Sequence, residues 1–406
     1  MKTEEIIARF ERYVMNTYSR HPIVLVGGEG CWVRDIDGKK YLDFITGIAV
    51  TNLGHSHPAV VKAIEDQARS LIHVSNLFHM QPQVELAEIL VKNSFADKVF
   101  FCNSGAEANE GAIKLARKWG TANGGRYKIV SALGSFHGRT LGALSATGQK
   151  KYQKGFKPLA GGFKFVPYGK IEPLRSALGD EKVCAVILEP IQGENGVVIP
   201  PDDYLPKVRE ICTLKNVLLI LDEIQVGLGR TGRLFAYEHY GIEPDIMTLA
   251  KALGGGIPAG AVLARDEVAL YLTPGSHGST LGGNLLAMHS GCAVLRTILG
   301  DGLLDNADLM GKYFLEKLRT LPDKYKLIRE IRGKGLILGV ELRSKDIGKG
   351  IIKKCLEKGV LLNLTEEKII RVLPPLIVTR EEIDFAVEKL DESFQAVSRV
   401  YRREVS

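Results

Sequence analysis

The sequence predicts an α/β protein built on a central, mostly parallel sheet that is covered by helices on both faces. Between residues 98 and 265, short apolar runs alternate with helix-like segments such as AEANEGAIKLARKWG. This alternation is typical of parallel strands joined by crossover helices. The strand candidates are apolar on both faces, which indicates that helices cover both sides of the sheet; they are VFFCN, YKIVSA, CAVILEP, LLILDE, DIMTLA and GAVLA.

A second, smaller domain is expected from the C-terminal part of the chain. After about residue 290, a long helical stretch precedes the runs GLILGVEL, GVLLNL and IIRVLPPL and a last helical segment. This order predicts a small α+β domain over residues 289–406, packed with an N-terminal segment over residues 1–50. The large domain then covers residues 51–288. No repeat, low-complexity tract or Pro/Gly/Ser linker marks these boundaries.

The composition predicts a globular chain of 406 residues, 45% of them hydrophobic. The formal charge of +7 is spread over the whole length without a basic block, which argues against a nucleic-acid surface and suits small anionic substrates. Six cysteines lie far apart with no CxxC pair, and the N-terminus has no long hydrophobic run. We therefore expect a cytoplasmic protein with reduced thiols, without a signal peptide or a membrane span.

The polar residues that end the apolar runs are the first candidates for a site, because ligands of open α/β sheets bind outside the carboxyl ends of strands. Ser104, Gly105 and Ala106 follow the run VFFCN and open a helix. Free backbone N–H groups and the positive end of the helix dipole at such a turn suit a phosphate group. The alternative is an ordinary helix N-cap.

Asp222 ends the run LLILDE, where a carboxylate is poorly solvated unless a proton or a cation lies nearby. The N–H of a protonated pyridine ring would supply that partner. A magnesium-binding acidic pair in a phosphate-hydrolysing enzyme is the alternative. The chain contains no G-x-x-x-x-G-K-[ST] motif, which weakens that alternative.

Lys251 ends the run DIMTLAK and precedes the glycine-rich segment LGGGIPAG. Desolvation at this sheet edge would lower the pKa of its ammonium group and favour the neutral amine that forms imines. A solvated lysine at a strand end is the alternative.

Residues 227–232, GLGRTG, match the G-x-G-x-x-G fingerprint and raise the alternative of an NAD-dependent oxidoreductase. Against this, Asp222 and Glu223 would face a pyrophosphate, and the preceding strand lies deep in the middle of the chain. The histidines show no metal-ligand spacing and the serines no G-x-S-x-G context, so we expect neither a metal site nor a hydrolase triad. A non-catalytic binding module is a third possibility, disfavoured by the reactive groups at several strand ends.

The chain resembles the class III aminotransferases of the fold-type I pyridoxal-phosphate superfamily over nearly its whole length. The resemblance is carried by the segments FFCNSGAEANE, SFHGRTLG, EPIQGE, LDEIQVGLGRTG, AKALGGGIPAG, HGSTLGGN and IIRVLPPL. It implies pyridoxal 5'-phosphate (PLP) as the cofactor and a homodimer whose active sites are shared between the subunits. In this family GLGRTG is a loop that binds no dinucleotide.

Carried over by position, Lys251 resembles the catalytic lysine that forms the Schiff base, and Asp222 resembles the partner of the pyridine nitrogen. Phe136 resembles the residue that stacks on the cofactor ring, and Gln225 the one near its phenolic oxygen. Thr280 resembles the residue that reaches the phosphate from the neighbouring subunit. The remaining cofactor-binding residues implied by the resemblance are Ser104, Gly105, Ala106, Glu223 and Ile224.

The resemblance also implies how two substrates share the site. Arg139 resembles the clamp for the far carboxylate of either substrate, and Arg371 the clamp for the α-carboxylate of glutamate. Guanidinium groups suit this task because they bind carboxylates in two-point geometry. Glu194 resembles a switch that pairs with Arg371 when no carboxylate is bound, and Ser279 lies near the substrate. Without the flanking motifs, Arg139 could be a surface charge and Arg371 a strand-edge cation.

The reaction implied by the resemblance is transfer of the terminal amine of N2-acetyl-L-ornithine to 2-oxoglutarate in arginine biosynthesis. Succinylornithine, succinyl-diaminopimelate, ornithine and 4-aminobutyrate are alternative donors, because all need a clamp for a distal carboxylate. Two positions depart from the family pattern. Val226 replaces a small polar residue and could alter substrate choice, and Leu285 replaces a proline.

Overall fold

The computed structural model describes the backbone of residues 2–405 and the side chains as far as residue 398. The strands, numbered in chain order, are β1 (Leu25–Glu29), β2 (Trp32–Asp35), β3 (Lys40–Asp43), β4 (Lys98–Cys102), β5 (Lys128–Ala132), β6 (Phe163–Val166), β7 (Val183–Leu188), β8 (Leu218–Asp222), β9 (Ile246–Leu249), β10 (Gly260–Ala264), β11 (Ile328–Lys334), β12 (Ile337–Leu342), β13 (Val360–Leu361), β14 (Asn363–Thr365) and β15 (Ile369–Val372).

The helices include several of only one turn. They are α1 (Thr3–Tyr13), α2 (Thr46–Ala49), α3 (Pro58–Ser70), α4 (Gln81–Lys92), α5 (Gly105–Ala122), α6 (Leu141–Ala146), α7 (Lys150–Gln153), α8 (Ile171–Ala177), α9 (Tyr204–Leu214), α10 (Asp266–Ala269), α11 (Leu285–Gly300), α12 (Leu303–Leu318), α13 (Leu321–Lys324), α14 (Gly348–Glu357) and α15 (Arg380–Val405). Among the described residues, no helix combines the length and apolar character needed to cross a membrane.

The central sheet has seven strands in the order β4-β10-β9-β8-β7-β5-β6. Only β10 runs antiparallel to its neighbours, so the carboxyl ends of the other strands lie at one edge. Every residue of β7, β8, β9 and β10 is buried. The prediction of a mostly parallel, central sheet is therefore confirmed.

Helices cover both faces of this sheet, and alternate residues of one strand enter different cores. On β8, Leu218 and Ile220 pack in a core with α5, whereas Leu219 and Leu221 pack in the larger core on the opposite face. This follows from the period of two along a strand, which points successive side chains to opposite faces.

Two smaller four-stranded sheets complete the fold. One has the order β11-β12-β15-β14, and the other has the order β1-β2-β3-β13. In the second sheet, Val360 of β13 pairs with Leu42 of β3, which joins the N-terminal segment to the C-terminal part of the chain. The domain boundaries at residues 50 and 288 stay a prediction.

The structure differs from the sequence prediction at two places. The run GVLLNL forms two strands, β13 and β14, that belong to different sheets, because the chain passes from one sheet to the other at Leu362. Strand β6 was not predicted: it is a four-residue edge strand with an exposed Phe165, and its apolar pattern is too short to stand out.

Candidate active site

A cavity of about 390 Å³ lies at the carboxyl ends of the parallel strands. We name it the strand-end cavity; it is lined by residues that follow β4, β5, β7, β8 and β9, among them residues 103–106, residues 136–139, Glu189, Asp222 and Lys251. This is the position where open α/β sheets bind their ligands. The structure thus brings together side chains that lie far apart in the sequence.

One end of the cavity is formed by the N-terminus of α5. Ser104 is the N-cap, and its Oγ accepts a hydrogen bond from the backbone N–H of Glu107 at 3.2 Å. Gly105 and Ala106 occupy the first helical positions, where backbone N–H groups have no acceptor within the helix. A Cβ atom on Gly105 would lie 2.8 Å from Cδ1 of Ile224, so a larger residue would disturb this end. These features form an anion-binding cradle.

Asp222 is fixed at the bottom of the cavity by three hydrogen bonds. Its Oδ2 accepts from Nδ1 of His137 and from Nδ2 of Asn109, both at 2.7 Å. Its Oδ1 accepts from the backbone N–H of Ile224 at 3.1 Å. Asn109 is held in turn by Thr248, whose hydroxyl donates to Oδ1 of Asn109 at 2.8 Å. The orientation of the buried carboxylate is therefore determined by its neighbours.

Lys251 stands on strained backbone beside this carboxylate. Its φ of +47° lies in the left-handed region, which side chains other than glycine rarely adopt. Within the described part of the chain, its Nζ makes no hydrogen bond or ion pair. Burial is the largest influence and, against the nearby charge of Glu194, lowers the pKa of Lys251 to about 8. A larger fraction of neutral amine is thus present near neutral pH than for an exposed lysine.

Glu194 lines the cavity and forms an ion pair with Arg371, which does not line it. Nη1 of Arg371 donates to Oε1 of Glu194 at 2.6 Å and to Oε1 of Gln225 at 3.0 Å. Arg371 is only 1% exposed, so the carboxylate offsets a buried positive charge. Burial acts to raise the pKa of Glu194, but the charges of Arg371 and Lys251 outweigh it and lower this pKa to about 2.

Arg139 lies at the mouth of the cavity and is held by aromatic rings. Its guanidinium carbon is 4.1 Å from the ring centroid of Tyr152 and 5.5 Å from that of Phe136. No carboxylate of the described residues pairs with it. Its N–H groups are therefore available to a ligand.

Four of the predicted residues do not line the strand-end cavity, and the first is Arg371, described above. The carboxylate of Glu223 points away from it and accepts backbone N–H groups of Ala236 and Tyr237, both at 2.7 Å. Burial raises the pKa of Glu223 to about 8. Ser279 lines a neighbouring groove, where its Oγ accepts from Nδ2 of Asn103 at 3.1 Å, and Thr280 follows it in the same loop.

The segment GLGRTG forms a turn rather than the start of a long helix. Its Arg230 is fully buried, and the guanidinium donates hydrogen bonds to the backbone carbonyls of Leu336 and Pro374 and to Oδ1 of Asn52. These contacts join the loop to the C-terminal sheet. The helix N-terminus that a dinucleotide pyrophosphate needs is missing from this loop.

Of the two departures from the family pattern, only Val226 lines the cavity, where it is buried. Leu285 is buried at the start of α11, directly after the N-cap residue Asn284. Val226 can therefore contact a ligand, whereas Leu285 contributes to packing.

Sequence reasoning missed Glu189, which the structure places in the cavity. Its Oε2 accepts the backbone N–H of Phe136 at 3.0 Å. Burial and, next, the charge of Asp222 raise the pKa of Glu189 well above its ordinary value. Its position in the sequence could have identified it, because Glu189 directly follows the apolar run CAVIL in the same way that Asp222 follows LLIL. His137, Asn109 and Tyr152 gave no comparable signal.

The residues of the cavity fit pyridoxal 5'-phosphate. The start of α5 offers N–H groups to a phosphate, Lys251 offers an unpartnered amine to an aldehyde, and Asp222 offers a fixed carboxylate to a ring N–H. An unpaired lysine and a positive-φ backbone in one cavity indicate a site built for chemistry rather than for stability.

Comparison with known proteins identifies the family. A model of the family described as aminotransferase class-III matches residues 13–394. The acetylornithine aminotransferase of Caldanaerobacter subterraneus is 56% identical over 384 residues, which cover 94% of this chain and 97% of that protein. The acetylornithine aminotransferase of Methanocaldococcus jannaschii is 51% identical over 404 residues, which cover 98% and 100%.

Solved structures agree with this result. The ornithine aminotransferase of Toxoplasma gondii superposes with a TM-score of 0.95 at 37% identity, over 98% of this chain and 96% of that one. The acetylornithine aminotransferase of Elizabethkingia anophelis superposes with a TM-score of 0.89 at 34% identity, over 98% and 100%. The chain therefore belongs to the class III aminotransferases, which depend on pyridoxal 5'-phosphate.

Proposed function

We propose that this aminotransferase moves the terminal amino group of N2-acetyl-L-ornithine to 2-oxoglutarate, in arginine biosynthesis. The products are N-acetyl-L-glutamate 5-semialdehyde and L-glutamate. The relatives named acetylornithine aminotransferase, about half identical over nearly the whole chain, support this substrate. The observation that carries the proposal is the unequal pairing of two arginines: Arg371 has a carboxylate partner, and Arg139 has none among the residues that the structure describes.

This pairing matches the charges of the two amino donors. N2-acetylornithine carries one carboxylate, far from the amine that reacts, whereas glutamate carries one far carboxylate and one beside the reacting amine. Arg139 binds the far carboxylate of either donor. Glu194 neutralises Arg371 while acetylornithine is bound and releases it for the α-carboxylate of glutamate. One site thus accepts both substrates without an unpaired buried charge.

The cofactor supplies a ring that withdraws electrons and stabilises negative charge on the reacting substrate carbon. Lys251 would anchor the cofactor, and its Nζ as a free amine would accept a proton from that carbon and pass it to the cofactor. Its lowered pKa, about 8, suits both roles. Asp222 would accept the N–H of the pyridine ring and so keep the nitrogen protonated.

The other cofactor contacts are those that the family resemblance implies, and the side chains concerned line the cavity. The N–H groups of Gly105 and Ala106, with the hydroxyl of Ser104, would bind the phosphate, Phe136 would stack on the ring, and Gln225 would lie near the phenolic oxygen. The backbone of residues 223–224, directly after β8, would lie beside the ring.

We also propose a homodimer in which Thr280 reaches the phosphate of the other subunit and Ser279 lies near its substrate. Leu77 and Phe78 are 88% and 65% exposed, and Nδ2 of the adjacent Asn76 donates to the carbonyl of Ser279 at 3.1 Å. Exposed apolar side chains in a loop beside the proposed shared residues support a second copy covering them. The cytoplasmic location stays a prediction from the sequence.

A donor panel tests the proposal. The holoenzyme is given 2-oxoglutarate with N2-acetylornithine, succinylornithine, succinyl-diaminopimelate, ornithine or 4-aminobutyrate, and glutamate formation is measured. We expect the highest kcat/KM with N2-acetylornithine. A higher kcat/KM with any other donor would identify that donor as the substrate instead of acetylornithine. The assignment to the aminotransferase family would still hold.

A further inference from the structure

The one-turn helix α7 lies beside the mouth of the strand-end cavity and carries Tyr152. We infer that Tyr152 is a positioning residue: its ring holds the Arg139 guanidinium at the mouth of the cavity and thereby sets the preference for substrates with a distal carboxylate. This inference rests on the role proposed above for Arg139 and adds the residue that makes this role possible.

The geometry of three side chains supports the inference. Arg139 lies closer to the ring of Tyr152, at 4.1 Å, than to the ring of Phe136, at 5.5 Å. The two rings meet edge to face, with centroids 5.5 Å apart and planes at 80°. A guanidinium that stacks on an aromatic face keeps its edge N–H groups free for a carboxylate. Because Arg139 has no carboxylate partner among the described residues, these rings are what orients it.

Tyr152 can hold another side chain because its own helix is anchored. Nε2 of Gln149, directly before α7, donates to the carbonyls of Gly134 at 2.9 Å and Ser135 at 3.2 Å. Nε2 of Gln153 donates to the carbonyl of Thr147 at 2.8 Å. The first two bonds attach α7 to the loop that continues into Phe136 and Arg139. Ring and guanidinium are therefore fixed to the same piece of backbone.

A second contact relates α7 to the other carboxylate-binding arginine. Lys151 forms an ion pair with Glu366, which stands in the turn between β14 and β15. Strand β15 carries Arg371. Through this pair, the helix that holds Arg139 is also attached to the hairpin of Arg371, so the separation of the two guanidinium groups is constrained from both sides.

The alternative is that Tyr152 only packs and stabilises the loop. The two roles predict different kinetics. A packing role lowers activity with every amino donor to a similar degree, because the loop as a whole is disturbed. A positioning role lowers activity only with donors whose distal carboxylate binds Arg139.

The test compares L-glutamate with L-norvaline, which has the same chain length and α-carboxylate but ends in a methyl group. Single-turnover reactions of the holoenzyme follow the absorbance change of the bound cofactor with each donor. For Tyr152→Leu we expect kcat/KM for glutamate to fall about tenfold, mainly through KM, while that for norvaline changes less than about twofold. Tyr152→Phe keeps the ring and should retain the glutamate-to-norvaline ratio of the unmodified enzyme.

Tyr313→Leu is the matched control, since it removes another tyrosine ring beneath an arginine, Arg380 at 5.1 Å, away from the cavity. It should leave the ratio unchanged. If Tyr152→Leu does not fold, Tyr152→Met, of similar volume, takes its place. An equal loss with both donors, or a loss in Tyr152→Phe as large as in Tyr152→Leu, overturns the inference. A failure of acetylornithine as substrate in the donor panel would not, because the test does not use that compound and glutamate is the same second substrate for every donor of the panel.

Discussion

His137 and Asp222 form a buried hydrogen bond of 2.7 Å, in which Nδ1 of the imidazole donates to Oδ2 of the carboxylate. The side chain of His137 is completely buried, and its Nε2 has no partner among the described residues. The ring therefore serves Asp222 alone. With Asn109 it determines where the free lone pairs of the carboxylate point, and hence how well Asp222 can meet the ring nitrogen of the cofactor.

This bond predicts the effect of changing His137. His137→Phe fits the same volume but removes the donor, and a lost hydrogen bond to a charged group corresponds to about tenfold or more in kcat. His137→Asn places an amide N–H near the position of Nδ1 and should recover part of the loss. Steady-state kinetics and cofactor titration check this, with cofactor binding expected to change little. Equal activity of His137→Phe and the unmodified enzyme would show that Asp222 needs no such support.

Lys251 predicts a pH-dependent change in stability of the cofactor-free protein. Its folded-state pKa, about 8, lies below the ordinary value of 10.5, so the fold disfavours the charged form. The burial of charged Lys251 lowers the free energy of unfolding. This destabilisation is fully present below pH 8, decreases between pH 8 and 10.5, and disappears above pH 10.5. Lys251→Met should therefore raise the free energy of unfolding by roughly 2 to 3 kcal/mol at pH 7 and by little above pH 10.5.

Thermal unfolding of the two cofactor-free proteins at several pH values measures this difference. Lys154→Met, which changes an exposed lysine near the site, is the control and should show no pH-dependent gain. The same Lys251→Met protein should lack the borohydride-stable attachment of cofactor to the peptide that contains residue 251, and should lack activity. Attachment to another peptide would contradict the assignment of Lys251.

Glu194 and Arg371 predict opposite effects on the two substrates. Glu194→Gln leaves Arg371 buried without its charge partner, which favours a substrate that brings a second carboxylate. We expect KM to decrease for glutamate and to increase for N2-acetylornithine, each by about tenfold. Half-reactions with each donor measure this. Glu330→Gln, in an exposed ion pair with Arg332, is the control, and shifts of both KM values in one direction would exclude a switch.

The sequence sufficed to predict six of the seven strands of the central sheet and the residues at their ends. Lys251, Asp222 and Gly105 were found because each follows a short apolar run, and parallel strands bring their carboxyl ends together. The side chain of Glu223 shows the limit of this reasoning. It follows Asp222 directly and points the opposite way, since successive residues of a strand alternate.

Contacts between distant residues could not be predicted in this way. His137 and Asp222 are 85 positions apart, and the two form a pair only because β5 and β8 lie in the same sheet. Tyr152 stands in a one-turn helix with no amphipathic pattern, so its proximity to Arg139 depends on the hydrogen bonds of Gln149 and Gln153. Arg230 is an example of the opposite kind. The segment GLGRTG matches a dinucleotide-binding motif, but its arginine has a structural role.

Gly105 predicts a defect in cofactor binding that a second change should relieve. In Gly105→Ala, the new Cβ atom would lie 2.8 Å from Cδ1 and 3.0 Å from Cγ2 of Ile224, which forces the start of α5 or the isoleucine to move. Because Gly105 begins the cradle for the phosphate, we expect the cofactor dissociation constant to rise about tenfold or more.

Ile224→Val removes Cδ1, the nearer of the two atoms, and should restore part of the affinity in the double variant. Fluorescence or absorbance titration of the cofactor-free proteins with PLP measures each constant. Gly124→Ala is the matched control, because a Cβ atom there meets nothing within 4 Å. Gly124 also has a positive φ of 98°, so this control registers the effect of backbone strain alone. If Ile224→Val gives no recovery, the contact between residues 105 and 224 is not what limits phosphate binding.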